Sequence, residues 1–195
     1  QARPFEQSLR TLQIPYSVTG GTSFFDRSEV KDVLAYLRLI ANPDDDAAFL
    51  RIVNVPRREI GTATLEKLGG WASGRGLGLL AACMETGLHG VLPARAVERL
   101  YGFGRRIIEF GDEAEDGAPV DELARALIDD IGYRDWLFEN ARDPRQAETA
   151  NENVGELLDW LGRAARDEEA PTLADALRRL SLMDMLDRES GEAQD

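Results

Sequence analysis

Basic and hydroxyl side chains gather around one glycine in the stretch Val53-Asn54-Val55-Pro56-Arg57-Arg58-Glu59-Ile60-Gly61-Thr62-Ala63-Thr64-Leu65-Glu66-Lys67-Leu68. Pro56 is expected to stop a helix, Ile60-Gly61 to form a tight turn, and Thr62 to cap the helix that follows. A glycine turn at a helix N-terminus presents unpaired N–H groups beside the positive end of the helix dipole. With Arg57, Arg58, Thr62, Thr64 and Lys67 close by, that chemistry suits a phosphate. The same pattern also fits a plain connection between two helices with a capping threonine, and the residue types leave both readings open. Nothing in the stretch is built to read base edges, so nucleic-acid contact here would be to the backbone and independent of sequence.

Other reactive residues are sparse. The chain holds no G-x-x-x-x-G-K-[ST] phosphate loop, no H-E-x-x-H, no G-x-S-x-G, and no G-x-G-x-x-G opening a helix after a strand. Gly74-Arg75-Gly76-Leu77-Gly78 is glycine-rich but follows a helical pattern, so it reads as a loop. Asp44-Asp45-Asp46 brings three carboxylates together. Consecutive residues at a helix start point in different directions, which favours a role at the positive helix end over a metal site. Cys83 and His89 are single, which excludes an internal disulfide and a Cys/His zinc site. His89 falls between Gly87 and Gly90 and is expected in solvent. No catalytic residue, metal site or cofactor site is expected, and the chain should not turn over a substrate by itself.

The elements that must position this stretch are helical. Val30, Val33, Leu34 and Leu37 follow i, i+3, i+4, i+7 spacing, as do Val154, Leu157, Leu158 and Leu161. The same reading predicts helices near 3–12, 28–41, 45–54, 62–74, 78–87, 94–114, 120–130, 133–141, 145–168 and 172–186. One strand is expected at 14–19, and a lone strand must pair outside this chain or be an irregular feature. The fold class is therefore all-α, with nine to ten helices.

The 195 residues are 43% hydrophobic with a formal net charge of −13, a composition expected of a folded acidic protein. That charge is uneven. Residues 51–110 hold nine cations against five acids, whereas residues 111–195 hold nine against 24. A basic island inside an acidic chain confines any polyanion contact to that island. Apolar runs fall short of the roughly 18 residues a membrane span needs, so no membrane partner and a cytoplasmic location are expected. The first residue is Gln1, consistent with a processed or excised piece.

The ordered blocks Gln1–Glu6, Ile14-Pro15-Tyr16, Gly20–Arg27, Val30-Lys31-Asp32, Leu34–Arg38, Asn42–Asn54 and Pro56–Gly61 resemble superfamily-one DNA helicases of the Rep, UvrD and PcrA group, Rep-like members most closely. Beyond them the match is looser, through the helix pattern and Leu180–Met185. The resemblance implies that residues 1–25 are the edge of the second RecA-like motor domain, 26–187 the helical 2B subdomain, and 188–195 a return linker. It implies a parent that hydrolyses ATP with magnesium, moves 3′ to 5′ on single strands and acts in replication or repair near the bacterial nucleoid. Nucleotide motifs would then lie outside this chain. Carried over by position, Arg57, Arg58, Ile60, Gly61, Thr62, Thr64 and Lys67 become duplex-backbone candidates. The expected partners are duplex DNA, the helicase's own motor domains and replication-restart proteins, with hinges near Thr22–Arg27 and beyond Asp187. Members such as UvrD carry glycine where Glu59 stands, and an acid there weakens the phosphate reading. A second reading is an autoinhibitory, protein-docking module acting through its acidic helices.

Overall fold

A computed structural model describes residues 24–166 and 172–192, and these residues contain nine α-helices and no strand. In chain order the helices are α1 Ser28–Ala41, α2 Asp46–Ile52, α3 Thr62–Ser73, α4 Leu79–Cys83, α5 Ala94–Glu115, α6 Val120–Asp130, α7 Tyr133–Asn140, α8 Pro144–Arg166 and α9 Leu173–Glu192. Short 3-10 turns occupy Phe24–Asp26 and Thr86–Gly90. The expected helix near 3–12 and strand at 14–19 lie outside the described residues.

Helix α1 is the hub. It packs against α2, α5, α8 and α9, and Val30, Val33, Tyr36, Leu37 and Leu39 are almost fully buried. The two spacing patterns that marked α1 and α8 in the sequence are the faces they bury, since Val154, Leu157, Leu158 and Leu161 are also buried. A charge sits within this packing. Asp32 on α1 pairs with Arg51 of α2 at 2.7 Å and accepts a hydrogen bond from the buried Tyr133 hydroxyl of α7 at 2.9 Å. Burial raises the Asp32 carboxyl above its usual range, while Arg51 and Tyr133 act in the other direction. With Asp32 buried and Arg51 reaching it from the surface, the pair fixes which helices meet more than it adds net stability.

Two of the three aspartates serve as helix-start groups. Asp45 accepts from the Ala48 amide at 2.9 Å and from Arg38, while Asp46 accepts from the Leu79 amide at 2.7 Å, at the start of the distant helix α4. Among the described residues no group of acids, cysteines or histidines could hold a metal ion. Among the described residues no helix is long and apolar enough to cross a membrane.

Two elements differ from expectation. The helix expected near 78–87 ends at Cys83 and is followed by the Thr86–Gly90 turn, where Gly87 lies so close to Trp71 that a Cβ would stand 2.6 Å from the ring. His89 is exposed on that turn. At the other end α9 passes through Gly191 to Glu192, since one helical glycine costs only about 1 kcal/mol and does not by itself stop a helix.

The core beneath the basic segment is aromatic. Phe49 of α2 is fully buried with its ring edge-on to Phe103 of α5, centroids 5.5 Å apart. Phe49→Ala should lower unfolding stability by about 3–5 kcal/mol, read as a lower urea midpoint with an unchanged slope.

Candidate nucleic-acid interface

Residues 53–61 link α2 to α3 by turns and irregular chain, so their backbone groups must find partners outside helix or sheet. Asn54 supplies two, its side-chain oxygen accepting from the amides of Arg58 at 2.8 Å and Ile60 at 3.3 Å. Tyr36 donates its hydroxyl to the Val55 carbonyl at 2.6 Å. Burial pushes the Tyr36 phenol up to about 12, against the pull of Arg58, so it stays a donor.

Arg58 turns inward. Its Nη1 donates to the carbonyls of Ile52, Val53 and Pro56 at 3.1, 3.3 and 3.2 Å, and its Nη2 to the Tyr36 hydroxyl at 2.7 Å. The guanidinium also lies over the Phe103 ring, 4.9 Å from its centroid. Ile60 is buried at 4% exposure. Of the seven sequence candidates, these two face the protein, whereas Arg57, Gly61, Thr62 and Lys67 are exposed and Thr64 is half-buried. Among the described residues neither Arg57 nor Lys67 has an ion-pair partner.

The turn itself differs from expectation. Gly61 is extended, at φ −85°, and is the residue before α3, so Thr62 begins the helix and its side chain makes no cap. The left-handed residue is Glu59, at φ 55°. The Thr64 and Leu65 amides both donate to the Gly61 carbonyl. The amides of Thr62 and Ala63, ahead of this first closed turn, have no partner among the described residues. A Cβ at Gly61 would meet nothing within 4 Å, so the glycine leaves open surface in front of the helix end.

Sequence reasoning missed what lies across from the loop. Arg95, Arg99 and Arg106 follow a one-face spacing on α5 and line a groove of about 630 Å³ together with Arg57, Glu59 and Phe103. Arg99 donates to the Glu59 carbonyl at 3.2 Å and also grips its carboxylate, which Arg95 approaches at 3.5 Å. The hydrogen bond and charge of Arg99, then the charges of Arg95 and Arg57, hold the Glu59 carboxyl below its ordinary range. The pair therefore forms above the ordinary carboxyl pKa and is lost only as pH falls through the lowered one. Arg106 is held by Asp130 and Glu109, each at 2.7 Å. The i, i+4 spacing of Arg95 and Arg99 was visible in the sequence, but not the loop they face.

The chain is similar in sequence to known proteins. Residues 1–84 match the family described as the UvrD-like helicase C-terminal domain. The whole chain is 43% identical over 197 residues to the ATP-dependent DNA helicase Rep of Escherichia coli, covering 29% of that protein. It is 44% identical to Rep of Salmonella typhimurium, again over all of this chain and 29% of the relative, and 37% identical to PcrA of Bacillus subtilis, over 99% of this chain and 26% of the relative. The chain thus spans less than a third of the length of these relatives.

The inward and outward arginines should separate in stability. Arg58→Ala removes the donor shared by three carbonyls and the Tyr36 hydroxyl and should cost about 1–3 kcal/mol, whereas Arg57→Ala should leave the thermal midpoint within about 1 °C. Thermal unfolding followed by circular dichroism checks both.

Proposed function

We propose that this chain is the 2B subdomain, with a short flank of the second motor domain, of a Rep-like ATP-dependent DNA helicase that moves 3′ to 5′, and that it holds duplex DNA by its backbone. The observation that carries this reading is the grouping of exposed Arg57, Gly61, Thr62 and Lys67, with half-buried Thr64, around the open N-terminus of α3. Free cations, hydroxyls and two unpartnered amides meet there, a set that matches phosphate oxygens and ignores base identity. Arg58 and Ile60 serve the contact indirectly by fixing the loop. Nucleotide chemistry belongs elsewhere in the parent, since this sequence holds no phosphate loop. Boundaries at residues 25 and 187, action in replication or repair, and a place beside the bacterial nucleoid follow from the same reading.

A second reading is docking on protein, by the parent's own motor domains or by replication-restart proteins. It draws on Leu182, Met183 and Met185, large apolar side chains exposed on α9, and on the acidic residues 111–195.

Fluorescence anisotropy with a labelled hairpin carrying a 3′ single-stranded tail separates the two. The wild-type chain should bind, and Arg57→Glu with Lys67→Glu should weaken binding at least about tenfold and flatten the salt dependence by about one unit per lost phosphate contact. Arg58 stays unchanged, because its reversal would unfold the loop. Absence of binding at low salt would leave the docking reading in place of this one.

A further inference from the structure

Three of the groove's charged groups are not used by the duplex contact just described. Arg95 and Arg99 stand on α5 across from Arg57, and both are engaged by one carboxylate, that of Glu59. This carboxylate is 58% exposed, Arg95 is 77% exposed and Arg99 is 26% exposed. The Arg95 pair is so open to water that solvent screens it, and the carboxylate end of the Arg99 pair is open too, so an incoming anion can reach it and compete. Glu59 also sits at φ 55°, a backbone region that non-glycine residues seldom occupy. That conformation aims its carboxylate at two arginines, much as a phosphate oxygen would be placed.

We infer that Glu59 is a built-in competitor for phosphate, holding Arg95 and Arg99 as a second row of cations that engages a phosphodiester backbone only when the carboxylate releases them. The inference rests on the duplex-backbone reading and adds to it two binding residues and the group that restrains them. Arg106 stays outside the row, since Asp130 and Glu109 already occupy its donors. Arg57 keeps its own charge free, so a backbone lying on Arg57 and α3 borders the same groove. Displacement then exchanges one anion for another without exposing any buried group. Such an exchange limits the grip at rest and strengthens it where a backbone is pressed into the groove.

The test uses the 195-residue chain and the same labelled hairpin, titrated with salt. Glu59→Gln keeps the side chain's size and removes its charge. It should bind at least about threefold tighter at low salt and steepen the salt slope by about 0.9 for each arginine that reaches a phosphate. Glu98→Gln removes an equal charge from the same groove without freeing an arginine, and its slope should match wild type. Adding Arg95→Ala and Arg99→Ala to Glu59→Gln should abolish the gain. If Glu59→Gln lowers the thermal midpoint, Glu59→Gly carries the test, since glycine accepts the left-handed conformation without strain. The inference is overturned if Glu59→Gln and Glu98→Gln behave alike, or if the gain survives loss of both arginines. Should that happen while Arg57→Glu with Lys67→Glu still abolishes binding, the duplex-backbone reading stands alone. If neither wild type nor Glu59→Gln binds, that reading fails and this one with it.

Discussion

The guanidinium of Arg58 is the contact on which the candidate surface depends. A loop without helix or sheet bonds must find partners for its carbonyls, and three of them converge on this one side chain. Tyr36 completes the arrangement by accepting from Arg58 while donating to Val55. Along residues 57–60, which turn through the left-handed Glu59, burial alternates from one residue to the next. Arg58 and Ile60 point in; Arg57 and Glu59 point out. Burying one arginine thus fixes its neighbours at the surface, with no separate device needed to hold them there.

Support for that loop reaches back to α1. Tyr36 is on α1, Phe103 on α5, and the carbonyls that Arg58 bonds begin at the last residue of α2. Asp32, on the same helix as Tyr36, ties α1 to α2 through Arg51 and to α7 through Tyr133. The loop is therefore seated where three core helices meet. By contrast α3 buries only Leu68 and Ala72 and packs mainly on α4. A rigid loop leading into a lightly seated helix leaves most of α3 free to face a partner.

Much of this architecture was legible in the residues. The spacing reading of 28–41 and 120–130 coincides with α1 and α6, and 145–168 falls within two residues of α8, because their apolar faces repeat cleanly and proline or glycine punctuates their ends. Where the reading failed, long-range contacts decided. The helix expected to 87 stops at Cys83 and gives way to a turn whose Gly87 lies against Trp71, and the turn expected at Gly61 formed at Glu59, whose side chain is drawn across to Arg95 and Arg99. The inward course of Arg58 was not legible either, because it depends on the Ile52, Val53 and Pro56 carbonyls and on Tyr36 converging at one point.

Charge sets the scale of what this surface can do. At −13 overall the chain repels a polyanion at a distance, so affinity must come from contacts made within the basic island. Two phosphate contacts, by Arg57 and Lys67, imply roughly a twelvefold loss of affinity between 50 and 200 mM salt, and four contacts imply a loss of about 150-fold. The first describes a touch that is easily released; the second describes a grip strong enough to resist movement along the duplex. Glu59 stands between these regimes. With its carboxylate in the groove, Arg95 and Arg99 share one anion, which keeps them close to the backbone path without committing them to it.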